Sequence, residues 1–257
     1  MKFASVCLAA ALSLSAAYAW PQGYPDKPIR ILVGFPPGTT GDLIGRAMAP
    51  RMSESLGQQI VIENRPGAGS SLGADAVAKA PADGYTLLLS TIANTINPSL
   101  YKLSFDFEKD LVPISLLAEA PALLIAHPSA PGTLGELVAA AKAKPGEIQY
   151  ASSGNGTVTH LYGELFNLAT GANIGHVPYK GSSQAVTDLI AGRVALLFTP
   201  ASTVVPHVQS VRLRALAAIG RQRLAALPDV PTFAEAGIAG FESALWFGLN
   251  APAGTPK

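Results

Sequence analysis

Two α/β halves, each built on parallel strands with helices over their faces, are the fold class this sequence predicts. Three observations carry the prediction. Short runs of branched apolar residues alternate with helix-period segments, first in the order βαβαβ and again after residue 126. Each half has a strand that opens through Gly, Ser and Thr into a helix, at Gly34 to Gly41 and at Ser152 to Thr157. The composition, 49% hydrophobic and 14% charged, suffices for a sizeable core.

The chain opens on an expected export signal, residues 1–19: Lys2, the apolar run Phe3 to Ala16, and the cleavage site Ala17-Tyr18-Ala19. The one cysteine, Cys7, lies inside it, so disulfides, Cys metal sites and thiol catalysis are excluded from the mature chain. Ile29 to Val33 then reads as a buried strand, and the turn Gly34 to Gly41 follows. Asp42 is the expected cap of a helix carrying Leu43, Ile44, Ala47, Met48, Met52 and Leu56. Ile60 to Glu63 is a second strand, ending in Asn64-Arg-Pro-Gly-Ala-Gly69. Ser70 or Ser71 is expected to cap the next helix, which Pro81 stops, and Asp83-Gly84 leads into a third strand, Tyr85 to Leu89. Residues 91–110 read as irregular.

Leu111 to Leu117 and Ala122 to Ala126 read as strands crossing between the halves. Thr133 and Glu136 form a capping box for the next helix. Ile148 to Ala151 opens into the second Gly/Ser/Thr loop and a helix with Leu161, Leu165, Phe166 and Leu168. A third junction, Val177 to Ser183, precedes a helix with Val186, Leu189 and Ile190. Val194 to Phe198, Leu213 to Ala218 and Phe241 to Leu249 supply further strands.

Ligands bind at the carboxyl edges of parallel strands, so the two loops read as walls of one cleft. Free amides at a helix start favour anions. Neither loop contains Lys or Arg, so neutral donors and helix dipoles would hold the anion. A net charge of +1 gives no basis for nucleic-acid or anionic-membrane binding, and no apolar run after residue 20 spans a membrane. No cofactor is expected: there is no dinucleotide or P-loop spacing, and the four histidines lie in separate elements. Gly69-Ser-Ser71-Leu-Gly73 fits a nucleophile-elbow pattern, which leaves a secreted serine hydrolase using Ser71 as one competing reading, a truncated remnant without function being the other. The separation of Ser71 from its strand favours a helix start instead.

Several stretches resemble the periplasmic solute receptors of the tripartite tricarboxylate transporters, the Bug family. They are Tyr24-Pro-Asp-Lys-Pro-Ile-Arg-Ile, Glu63-Asn-Arg-Pro-Gly-Ala-Gly, Asp83-Gly-Tyr-Thr-Leu-Leu, Tyr150-Ala-Ser-Ser-Gly-Asn-Gly-Thr, His176-Val-Pro-Tyr-Lys-Gly and Leu227-Pro-Asp-Val-Pro-Thr. The resemblance implies a two-lobed periplasmic-binding-protein fold of type II and no enzymatic activity. The implied ligand is a small organic carboxylate, and the implied partners are the membrane subunits of such a transporter. Lobe 1 would take residues 20–125, lobe 2 residues 126–218, and 219–257 would return to lobe 1, stopping short of the family's closing C-terminal segment. Without that segment, Leu245, Trp246, Phe247 and Leu249 are expected to lie partly uncovered. The implied ligand contacts are Gly38 and Asp42 on one side and Ser153, Gly154, Gly156 and Thr157 on the other, with Thr39, Thr40, Thr91 and Tyr179 in addition. Thr39 and Gly41 depart from the family's first loop. Val211 stands where a turn Gly is common in the family, which implies a strained or altered turn.

Overall fold

The computed structural model describes residues 23–256, so the expected export signal and Cys7 lie outside the described residues. Ten strands form two five-stranded sheets. The first contains β1 (Ile29–Val33), β2 (Ile60–Asn64), β3 (Thr86–Thr91), β4 (Leu111–Ala120) and β10 (Leu245–Pro252), in the order β2-β1-β3-β10-β4. The second contains β5 (Ala122–Ala126), β6 (Gln149–Ser152), β7 (Gly175–Pro178), β8 (Leu196–Pro200) and β9 (Arg214–Ile219), in the order β7-β6-β8-β5-β9. β1 runs parallel to β2 and β3, and β6 runs parallel to β7 and β8. β10 is antiparallel to β3 and β4, and β5 is antiparallel to β8 and β9, so both sheets are mixed.

Eight helices among the described residues flank these sheets: α1 (Thr40–Leu56), α2 (Ser71–Ala78), α3 (Ile92–Leu100), α4 (Phe107–Asp110), α5 (Leu134–Ala143), α6 (Val158–Thr170), α7 (Ser182–Ile190) and α8 (Val205–Gln209). The inner strands β1, β3, β5 and β8 are buried on both faces, which is why they read as unbroken apolar runs.

The sheets exchange the chain at Pro121 and again just before Leu245, whereas the sequence reading divides the lobes after 125 and 218. The difference comes from residues 220–244. Thr232 bridges to Ala218, and Phe233 stacks on Phe241 at 4.0 Å and faces Phe198 at 6.5 Å, so this stretch packs on the second sheet. Phe241 to Ala244 is therefore not strand, because Phe241 is committed to that aromatic cluster.

Other expectations are corrected. Residues 91–110 are irregular only at 101–106: Thr91 and Asn94 form a capping box that starts α3, and Asp106 caps α4. Asp42 does not cap α1; Thr39 holds that position and Asp42 lies three residues on. Neither Ser70 nor Ser71 caps α2 with its side chain: Ser70 has φ +80°, and its hydroxyl faces Asn94. Leu245, Phe247 and Leu249 are buried while Trp246 is half-buried as expected, and the exposed large apolar side chains of this sheet are Val61 on β2 and Val112, Ile114 and Leu116 on the edge strand β4. Val211 does sit in a strained turn, at φ +57°. No helix among the described residues is long and apolar enough to cross a membrane.

Candidate functional site

The carboxyl ends of β1 and β3 face those of β6 and β8, and the walls between them are in contact. Thr40 Oγ1 lies 2.8 Å from Ser202 Oγ, beyond β8. Gly181 abuts Pro36 so closely that a Cβ would fall 2.8 Å from the proline ring. Gly156 packs in the same way on Asn97, Leu100 and Tyr101.

Four helix starts converge on a chamber of about 50 Å3 in this seam. They are Thr39, Thr40 and Gly41 of α1, Thr91 to Ala93 of α3, Thr157 to Thr159 of α6, and Ser182 of α7. Phe35, Leu245 and Phe247 give it an apolar side, and no Lys or Arg lines it. A larger chamber of about 350 Å3 shares Phe35 and Ser153 with the first. Its walls are the turn Gly67 to Ser70, Tyr101, Ser153 to Asn155, and Pro178 to Lys180.

Most hydroxyls here are engaged in shaping the loops. Thr39 Oγ1 donates to Pro36 O at 2.8 Å, and Thr157 Oγ1 to Gly154 O at 2.7 Å. Thr91 Oγ1 accepts from the Ala93 amide, and Thr159 Oγ1 accepts from the Ser153 amide at 2.9 Å. No side chain caps α1, α6 or α7, so the donors these helices turn toward the seam are backbone N–H groups.

Of the residues expected to contact a ligand, Thr39, Thr40, Thr91, Ser153 and Thr157 line the small chamber, and Ser153, Gly154 and Tyr179 line the large one. Gly38, Asp42 and Gly156 line neither. Gly38, at φ +77°, donates its amide to Asp42 Oδ2 at 2.9 Å. The buried Asp42 carboxylate also accepts from Arg46 and Asn64. Burial pushes its pKa up, but the hydrogen bonds from Arg46, Gly38 and Asn64 outweigh burial and hold it below the usual carboxylate value. Asp42 is thus the anchor under the first loop. The Tyr179 hydroxyl donates to Asp188 at 2.8 Å, and burial followed by this bond pushes it up to about 12. Ser71, the candidate nucleophile, receives Asn97 Nδ2 at 2.8 Å; its partner is an amide, not a base. Among the described residues no three His, Asp or Glu side chains gather as a metal site.

The start of α7 joins the site although the expected ligand contacts do not include it. Gly181-Ser182-Ser183, a small polar step between a strand and a helix, was the signal that could have placed it there.

The sequence profile of the tripartite tricarboxylate transporter family receptors matches residues 44–257. Protein BugT of Bordetella pertussis is 43% identical over 243 residues, covering 91% of this chain and 73% of BugT. The structure of R. palustris Rpa4515 with adipate is similar at TM-score 0.88 and 38% identity, covering 91% of this chain and 79% of that one. MatC from Rhodopseudomonas palustris with bound malate gives TM-score 0.85 and 32% identity, over 91% of this chain and 80% of that one. With this profile and these relatives spanning the two mixed sheets and the seam between them, the chain belongs to the tripartite tricarboxylate transporter receptors, the Bug family of periplasmic solute-binding proteins.

Proposed function

We propose that this protein captures a small organic carboxylate between its two sheets and presents it to the membrane subunits of a tripartite tricarboxylate-type transporter. It does so without turning the ligand over. The carrying observation is the meeting of four helix starts on one chamber that no cationic side chain lines. The starts of α1, α6 and α7 offer N–H groups that no side chain caps, and all four starts bring the positive end of a helix dipole, so the shared point favours a negative group. The small chamber takes the carboxylate head, and the adjoining one takes the rest of the ligand. The ligand-contact set is then the amides and hydroxyls at Thr39, Thr40, Thr91, Ser153, Gly154, Thr157 and Ser182. Gly38, Asp42 and Gly156 hold those loops, and Tyr179 contributes backbone rather than its hydroxyl. Relatives solved with adipate and with malate support this ligand class. The protein works in the periplasm, reached through the segment 1–19.

Calorimetric titration with malate, adipate and their dimethyl esters tests the reading. Saturable binding of an acid, with its ester at least about tenfold weaker, is expected, since a hydrogen bond to a charged group is worth about 1.5–3 kcal/mol. Equal affinity for acid and ester, or no binding of any carboxylate, overturns it.

A further inference from the structure

The loop from Ser152 to Thr157 rests on two histidines that lie outside both chambers. His160, in the first turn of α6, and His176, on β7, stack with ring centroids 4.1 Å apart and planes 22° apart. Tyr150 of β6 stacks on His176 at 4.9 Å. Each imidazole holds a different part of the loop. The Gly156 amide donates to His160 Nδ1 at 3.3 Å, so His160 must be neutral there, with its proton on Nε2. His176 Nε2 lies 2.7 Å from Ser152 Oγ, which in turn accepts from the Gly154 amide at 3.0 Å. We propose that His160 and His176 are positioning residues for this loop, and that ligand retention is acid-sensitive because protonation of the pair releases it. The part concerning ligand retention rests on the carboxylate-receptor reading above.

A proton arriving at His160 Nδ1 sets an N–H donor against the Gly156 N–H, and the amide must turn away. A proton arriving at His176 Nε2 makes that nitrogen a donor to Ser152 Oγ. The serine hydroxyl then swings toward Gly154 O, 3.3 Å away. Two positive charges on stacked rings repel, so the pair takes one proton before two. The titratable groups facing the pair are Glu164, whose carboxylate lies 3.8 Å from His160 Nε2, and Tyr150, whose hydroxyl donates to Glu164 at 2.8 Å. From the first-sheet wall, Tyr101 closes on Gly156. Burial first, and the neighbouring His160 second, hold His176 down at about 4. Neutral His176 is therefore the form that holds Ser152 near pH 7.

The test reads the loop with and without ligand. In the ligand-free full-length protein, amide exchange at Gly154 and Gly156 is followed by NMR from pH 7.5 to pH 4. Protection at Gly156 is expected to fall about three- to tenfold, the worth of one backbone hydrogen bond, in step with the histidine ring resonances. His160→Asn places a non-titrating acceptor near Nδ1 and should keep that protection across the range; His176→Gln places one near Nε2, should keep the protection of the Gly154 amide instead, and serves if the first variant does not fold. Malate titration at both pH values should show the variant gaining about three- to tenfold on the wild type in acid, a ratio from which the ligand's own ionisation cancels. Unchanged Gly156 protection in the wild type, or the same acid response in the variants, overturns the proposal. If malate does not bind but the amide response appears, the carboxylate reading fails and the positioning role stands.

Discussion

Gly154→Ala separates the shape of the second loop from the stability of the protein. Gly154 has φ +127°, a backbone conformation that side-chain-bearing residues rarely adopt. A Cβ there would also fall 2.8 Å from the Tyr179 carbonyl oxygen. The strain is worth about 1–3 kcal/mol, and relieving the contact means moving a backbone carbonyl or the loop itself. The loop is the softer of the two, because Tyr179 follows β7, whose register against β6 is fixed. At roughly 2–4 °C per kcal/mol, a loss of about 2–3 kcal/mol lowers the melting temperature by about 4–12 °C. Moving Gly154 also disturbs the bonds its amide and carbonyl make with Ser152 and Thr157. Carboxylate affinity should then fall about tenfold or more, the loss of one charge-assisted hydrogen bond. Gly146→Ala is the control: φ is +79°, nothing lies within 4 Å of the added Cβ, and the position is exposed and remote from the seam. It should cost about 1–2 kcal/mol with unchanged affinity. Thermal unfolding by circular dichroism and calorimetric titration with malate read the two effects. If Gly154→Ala binds like the wild type while melting like the control, the loop assignment is wrong.

Three further outcomes follow from strain, packing and charge. Val211 closes α8 as the left-handed residue of a Schellman turn, with Val211 N to Val208 O at 2.9 Å and Arg212 N to His207 O at 3.0 Å. Its side chain is 83% exposed, so Val211→Gly relieves about 1–2 kcal/mol of strain, gives back about 0.5–1 in chain entropy, and should raise the melting temperature by about 1–4 °C. Gly163→Ala would drive a Cβ into the Tyr150 ring, and overpacking of about 1–3 kcal/mol should appear as a lower urea midpoint. His176 is held below its ordinary 6.5, at about 4, so the unfolded chain takes up a proton that the folded protein refuses. Its contribution to stability is complete above pH 6.5 and is lost as pH falls toward 4, a decline in melting temperature that His176→Gln should flatten.

Local patterning made much of this legible. Ile29 to Val33 is strand at the bounds its branched residues suggest, and both Gly/Ser/Thr loops stand at strand ends facing the seam. What escaped was set by contacts distant in sequence. Asn94 and Asn97 lie in a stretch that reads as irregular, yet one completes the cap on Thr91 and the other holds the turn at residues 68–71. Asp42 sits where a cap would, and only the fold brings Asn64 beside it. The direction of β10 was invisible, because a strand buried on both faces has no periodicity to reveal whether its neighbours run parallel. The histidine pair was equally hidden, since sixteen positions of chain separate two residues that the β6–α6–β7 connection brings face to face.

A crystal structure grown with malate tests the central claim most directly. The account predicts a carboxylate in the small chamber, with its oxygens about 2.7–3.2 Å from first-turn amides of α1 and α6 and no Lys or Arg within reach. A cationic side chain on the carboxylate in the small chamber, or both malate carboxylates seated outside that chamber with the helix starts unoccupied at saturation, would contradict it.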